Sequence, residues 1–205
     1  MRQGRRDAHI DHLANQAVHV RAAGEVDHAV AFGATGQVGA VMRRLLDERA
    51  AGFFALGMAR TQGRPVVLLA SGTGFAPIKA IIEHAISIRF GQPMVLYWGA
   101  RARKDLYMDA RAEQLVAQAR EAGVDLRYVP VLSEPRAQDA WTGRTGFVHH
   151  AVMADLPDLS GWQVYACGVP VMIDAARADF VARCKLDPDA FFADAFVSEA
   201  DKAQA

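Results

Sequence analysis

The stretch Arg64-Pro-Val-Val-Leu-Leu-Ala-Ser-Gly-Thr-Gly-Phe-Ala-Pro77 leaves this chain few folds to choose from. Val66 to Ala70 is an unbroken apolar run rich in branched side chains, bounded by Pro65 on one side and by Gly72 and Gly74 on the other. Such a run predicts a strand buried on both faces of a parallel sheet. Beyond Pro77 the period changes. Ile78, Ile81, Ile82, Ala85 and Ile86 recur at helical spacing and form one stripe of an amphipathic helix. Pro77 suits the first helical turn, where its missing N–H is no loss. The order is strand, glycine turn, helix.

A turn of this kind lets backbone approach a ligand closely, because glycine places no side chain in the way. It also turns the free N–H groups and positive end of the following helix toward an anion. Ser71 and Thr73 add hydroxyl donors. A phosphate or pyrophosphate is the natural guest. The competing reading is a plain strand-to-helix turn whose glycines serve the backbone alone.

The 205 residues allow one domain plus a smaller piece. Lys+Arg and Asp+Glu both number 23, so no net field draws the chain to nucleic acid or an acidic membrane. No run of apolar residues is long enough to span a bilayer, and the N-terminus is polar where a signal peptide would carry its apolar core. Cys167 and Cys184 are the only cysteines and lack zinc or iron–sulfur spacing. His9 and His12 can share a helix face but have no third ligand beside them, so no metal site is expected. A cytoplasmic protein with free thiols is expected.

Along the chain, residues 1–62 are read as a short, irregular N-terminal region. Within it, Gly33, Gly36 and Gly39 follow an apolar run and precede a helical stretch over Gln37 to Ala50. Locally this resembles the dinucleotide-binding turn of short-chain dehydrogenase-like proteins. The rest of such a domain does not follow, and no tyrosine has a lysine four residues on. A helix start built from small residues is preferred there. From residue 63 the pattern is regular, with strands at 66–71, 94–98, 126–132, 162–166 and 191–197. Helices are expected at 77–89, 109–122, 147–154 and 171–184. Alternation of this kind predicts an α/β fold, a doubly wound parallel five-stranded sheet. The domain runs over 63–197, with a tail at 198–205.

Ligands of open α/β sheets bind beyond the carboxyl ends of the strands, where the winding reverses. Two strand ends carry a glycine turn followed by proline at a helix start: Gly72-Thr-Gly-Phe-Ala-Pro77 and Cys167-Gly-Val-Pro170. If these strands are neighbours, one crevice has both turns facing each other.

Six segments in order resemble the NAD(P)H-binding domain of ferredoxin–NADP reductase-like flavoenzymes, of the CDP-6-deoxyglucoseen reductase and phenol hydroxylase reductase type. They are Ser-Gly-Thr-Gly-Phe-Ala-Pro at 71–77, Tyr-Trp-Gly-Ala-Arg at 97–101 with Asp105-Leu-Tyr107, and Leu-Ser-Glu-Pro at 132–135. Trp-Thr-Gly-Arg-Thr-Gly at 141–146, Tyr-Ala-Cys-Gly-Val-Pro-Val-Met at 165–172 and Phe-Phe-Ala-Asp-Ala-Phe at 191–196 complete the set. The resemblance implies that Ser71, Gly72, Thr73, Gly74 and Pro77 form the pyrophosphate turn. Cys167 and Gly168 would lie at the nicotinamide, with Pro170 and Met172 shaping their turn. Gly99 and Arg101 would lie near ribose and diphosphate, Ser133 and Glu134 at the adenosine ribose, and Phe196 against a flavin. A carboxylate at Glu134 accepts hydrogen bonds from a free 2′-hydroxyl and repels a 2′-phosphate, so NADH is expected over NADPH.

The departure lies in front. In this family an FAD-binding barrel precedes the nucleotide domain and uses an Arg-x-Tyr-Ser/Thr stretch, yet the first tyrosine here is Tyr97. Residues 1–62 align only loosely with the second half of such a barrel, as a shortened remnant. The expected function is an oxidoreductase that binds NADH and passes its hydride to a flavin for onward electron transfer, with a separate flavin or iron–sulfur protein as partner. The alternative is a non-catalytic NAD(P)H-binding module, or a subunit lacking its own flavin.

Overall fold

In a computed structural model of the protein, residues 63–195 are described. The N-terminal region, its Gly33–Gly39 turn, Phe196 and the tail lie outside them. Six parallel strands form one sheet: β1 (Val66–Ser71), β2 (Met94–Ala100), β3 (Leu126–Leu132), β4 (Arg144–Thr145), β5 (Gln163–Gly168) and β6 (Phe191–Ala195). The helices between them are α1 (Phe75–Ser87), α2 (Asp109–Glu121), α3 (Val148–Asp155) and α4 (Pro170–Arg183).

The spatial order is β4-β3-β2-β1-β5-β6. From β1 the chain steps outward through β2 and β3 to β4, then returns to the other side of β1 for β5 and β6. The winding therefore reverses between β1 and β5, which pair in register from Val66↔Gln163 to Ala70↔Cys167. Five strands were expected from the sequence, and all five are present. The sixth, β4, has two exposed residues paired to Val131 and Leu132, too short to leave a periodic apolar pattern.

Alternate side chains of the central strands divide between two cores, as the two-residue period requires. Val66, Leu68 and Ala70, with Met94, Leu96 and Trp98, pack under α1 and α2 through Phe75, Ile78, Ile82, Ala112, Leu115 and Ala119. Val67 and Leu69, with Val95 and Tyr97, pack on the opposite face under α3 and α4 through Val148, Val152, Ile173, Ala176 and Phe180. A strand with helices on both sides has no wet face, which explains the unbroken apolar run of β1. Its residues Val66 to Ala70 are all fully buried.

Helix α1 starts two residues ahead of the expected position, directly after a 3-10 turn over Gly72–Gly74. Pro77 is thus its third residue, still within the turn that has no use for a proline N–H. Glu83 of α1 joins Lys79 at 2.7 Å and Arg111 of α2 at 2.7 Å, tying the two helices on that face.

Candidate functional site

At the reversal, the two glycine turns lie back to back. A Cβ on Gly74 would stand 2.0 Å from the Cys167 carbonyl oxygen and 2.8 Å from the Gly168 nitrogen. A Cβ on Gly168, whose φ is +155°, would stand 2.1 Å from the Ser71 Oγ. That hydroxyl accepts a hydrogen bond from the Val169 N–H at 3.2 Å. Each turn therefore needs its glycine so that the other can approach. Gly72 differs: its φ of +50° suits glycine, and a Cβ there would meet nothing within 4 Å. Gly72 and Thr73 are exposed at the mouth of the turn.

Trp98, at the end of β2, braces the first turn. Its ring stacks on Phe75 at 4.1 Å between centroids, and its Nε1–H donates to the Gly72 carbonyl at 3.2 Å. Tyr107, half exposed, meets the Trp98 ring edge-on at 5.4 Å. Trp98 is fully buried and belongs to the core. It also tethers the turn, a role legible only once β2 is known to lie beside β1.

The ends of β2 and β3 are laced through backbone. Ser133 N–H donates to the Ala100 carbonyl at 2.9 Å, and Glu134 N–H to that of Arg101 at 2.9 Å. The Arg101 and Glu134 side chains are exposed on this edge, and Ser133 is half-buried. Gly99 is buried, and a Cβ on it would stand 2.8 Å from the Val148 Cβ, so close packing of α3 accounts for that glycine. Asp105 Oδ2 accepts from the Ala102 N–H at 3.0 Å and closes the short turn that follows. The loop at 141–146 is tied to itself and to the sheet: Trp141 Nε1–H donates to the Arg144 carbonyl at 2.8 Å. The Arg144 guanidinium pairs with Asp155, which also accepts from the Tyr97 hydroxyl at 3.2 Å.

Cys167 is buried at 2 % exposure and is a free thiol. Burial, and secondarily the carboxylate of Asp194, push its pKa up to about 12. At neutral pH it is a neutral thiol, with neither nucleophilic nor acid–base capacity. What it can offer a ligand is shape and position.

The comparisons with known proteins fit this geometry. Residues 68–178 match the oxidoreductase NAD-binding domain. The chain belongs to that family. Its sequence is 44 % identical over 138 residues to the CDP-6-deoxy-L-threo-D-glycero-4-hexulose-3-dehydrase reductase of Yersinia pestis, covering 67 % of this chain and 40 % of that protein. It is 37 % identical over 133 residues to an NAD(P)H-flavin reductase of Aliivibrio fischeri, covering 65 % of this chain and 53 % of the other. The crystal structure of the cytochrome P450 reductase GcoB of Amycolatopsis superposes with a TM-score of 0.58 at 31 % identity, over 67 % of this chain and 39 % of that one. The chain thus spans about two fifths to one half of the length of these relatives. Its fold is that of a ferredoxin reductase-like NAD-binding domain, and a nicotinamide dinucleotide is its ligand.

In this NAD-binding domain, the residues singled out from sequence gather on one edge, the carboxyl ends of β3, β2, β1 and β5 in that spatial order. Ser71, Gly72, Thr73, Gly74 and Pro77 lie at the β1 end, and Cys167, Gly168, Pro170 and Met172 at the β5 end. Gly99 and Arg101 lie at the β2 end, and Ser133 and Glu134 at the β3 end. Three strand spacings separate the β5 and β3 ends, about 14 Å. Among the described residues, no helix is long and apolar enough to cross a membrane.

Proposed function

We propose that this chain binds NADH along that edge and orients it for hydride transfer to a flavin, from which electrons pass on singly. The observation that carries this reading is the interlocking of the two turns, with Gly74 pressed against Cys167 and Gly168 against Ser71. Two glycine turns fixed to each other at a sheet reversal make one rigid platform under one ligand.

In this reading the pyrophosphate lies on Gly72, Thr73 and Gly74. The first N–H groups of α1 and the Thr73 hydroxyl are the donors, and the positive end of the helix faces the anion. Ser71 keeps its hydroxyl on the Val169 N–H and so holds the second turn in place. The nicotinamide lies beside Cys167 and Gly168, where the neutral thiol packs without competing for the hydride. Pro170 and Met172 fix the start of α4 behind that turn. Arg101 lies near the diphosphate and Ser133 near the adenosine ribose, with Glu134 choosing a free 2′-hydroxyl over a 2′-phosphate. NADH, when bound, supplies the hydride; the chain supplies position and electrostatics. The flavin, FAD by family resemblance, is held by another part of the protein or by a cytoplasmic partner that carries a flavin or an iron–sulfur centre.

The test is an NADH titration of the purified chain, followed by protein fluorescence, with the flavin absorbance recorded before and after. Saturable NADH binding together with bleaching of added or retained FAD supports the oxidoreductase. Binding with no flavin reduction leaves a NAD(P)H-binding module or subunit, and no binding at all overturns both.

A further inference from the structure

Three side chains that the proposed function does not use converge between α3 and α4. His149 and His150, in the first turn of α3, both turn Nε2 toward the same oxygen of Asp179 on α4. The separations from Asp179 Oδ2 are 3.5 Å and 3.9 Å. One donor atom from each of the three residues lies within 4.8 Å of the other two.

These distances exceed those of a normal hydrogen bond, 2.7–3.2 Å for nitrogen and oxygen. They match a different arrangement. Two donors on one tetrahedral ion, each at about 2.0–2.1 Å, lie about 3.3 Å apart. Both histidine–carboxylate separations come within about 0.6 Å of that spacing, and the three donor atoms, within 4.8 Å of one another, close on an ion when the side chains draw in by up to about 1.5 Å. His149 has the stronger need for a partner. It is 7 % exposed, and its Nδ1 has no hydrogen bond. The nitrogen that faces Asp179 is the other one, Nε2, at 3.5 Å, and an ion bound there leaves Nδ1 as it is.

We propose that His149, His150 and Asp179 bind a divalent transition-metal ion of the zinc class, which clips α3 to α4. Two imidazoles and one carboxylate are a borderline-soft nitrogen-rich set, suited to Zn²⁺ and poorly suited to Ca²⁺ or Mg²⁺, which take oxygen. His150 is more than half exposed, so the ion enters from solvent and keeps a water as its fourth ligand. Arg183 Nη1 lies 3.5 Å from the other carboxylate oxygen of Asp179, Oδ1, and leaves Oδ2 turned to the histidines. The Phe147 ring lies 6.0 Å from that of His149 and shields one side of the site.

The experiment is a titration of the full chain with Zn²⁺ against a chromophoric chelator, repeated with Co²⁺ to read the visible bands of a tetrahedral site. His150→Gln and Asp179→Asn change exposed or half-buried groups, so they report on binding with the fold intact. His149→Gln is added with its melting temperature as a fold check. The expected result is one ion per chain bound at micromolar level or tighter, weakened roughly tenfold or more by each variant. Zn²⁺ should raise the melting temperature of the parent chain and not that of His150→Gln. Equal affinity in the parent, His150→Gln and Asp179→Asn would place any bound zinc on other residues and overturn the proposal. Binding only at millimolar Zn²⁺ would overturn it equally.

Discussion

The Cα of Gly74 lies so close to Cys167 that an added methyl group would stand 2.0 Å from the Cys167 carbonyl oxygen. Because that oxygen is backbone, no rotamer change can clear the way. Gly74→Ala must push the start of α1 away from the end of β5, at a cost of about 3 kcal/mol. Thermal or urea unfolding should show that loss, and NADH affinity should fall roughly tenfold or more with it. Gly91→Ala is the control. A Cβ there meets nothing within 4 Å, and its stability should stay within about 0.5 kcal/mol of the parent.

Ser71 and Gly168 should behave as a coupled pair. Gly168→Ala sets a Cβ 2.1 Å from the Ser71 Oγ, and Ser71→Ala removes that oxygen. Alone, Ser71→Ala loses the bond from the Val169 N–H, about 0.5–1 kcal/mol because Val169 is exposed and water can replace the hydroxyl. In the double variant the clash is eased, so the two costs should fall short of their sum by about 1–2 kcal/mol. A double-mutant cycle by urea unfolding reads that difference, and strict additivity would mean that the turns relax independently.

Trp98→Phe keeps an aromatic ring on Phe75 but removes the indole N–H that holds the Gly72 carbonyl. The expected loss is about 1 kcal/mol of stability. NADH binding should weaken more than that of a chain equally destabilised at a site remote from the turn. Measuring both quantities on one protein sample separates a tether from a mere core residue.

Alkaline pH should destabilise the chain, beginning near pH 9. In the folded state the Cys167 thiol is pushed from its ordinary value of 9.0 to about 12, first by burial and then by Asp194. The unfolded chain therefore loses this proton at a lower pH than the folded one. The stabilisation is complete below pH 9 and is lost as pH rises from 9 toward 12, with a slope of at most about 1.4 kcal/mol per pH unit. Burial also raises Tyr97, Tyr128 and Tyr165, which add to the loss from pH 10 upward. Melting temperatures of the parent and Cys167→Ala between pH 8 and 10 should diverge in slope, the variant falling less steeply.

The strands were readable because burial on both faces forces a continuous apolar run, as in Val66 to Ala70 and Met94 to Trp98. The winding followed from their alternation with helices. Two-residue β4 was not readable, since Arg144 and Thr145 are exposed and held by backbone pairing alone. The glycines of both turns stood out in the sequence, but not the reason for Gly74 and Gly168, whose neighbours come from the opposite turn. Gly99 shows the converse, a residue placed at the ligand edge from resemblance whose missing side chain is explained by Val148. The tether from Trp98 and the meeting of His149 with Asp179 depend on which elements become neighbours, and no local pattern encodes that.

In the proposed reading, Glu134 sets the choice between the two nicotinamide dinucleotides. Its backbone is fixed by the bond from its N–H to the Arg101 carbonyl, while its side chain is exposed on the ligand edge. A carboxylate held there accepts from a ribose 2′-hydroxyl and repels a 2′-phosphate. Glu134→Ser removes the repulsion and should narrow the preference for NADH by roughly tenfold, as loss of one charge-assisted contact of about 1.5 kcal/mol would do. Glu134→Arg should go further and favour NADPH, with Arg101 close by as a second cation. Because the side chain is exposed, neither change should disturb stability by more than about 0.5 kcal/mol. Dissociation constants for NADH and NADPH measured on all three proteins check this, and an unaltered ratio in Glu134→Arg would remove the residue from the ribose site.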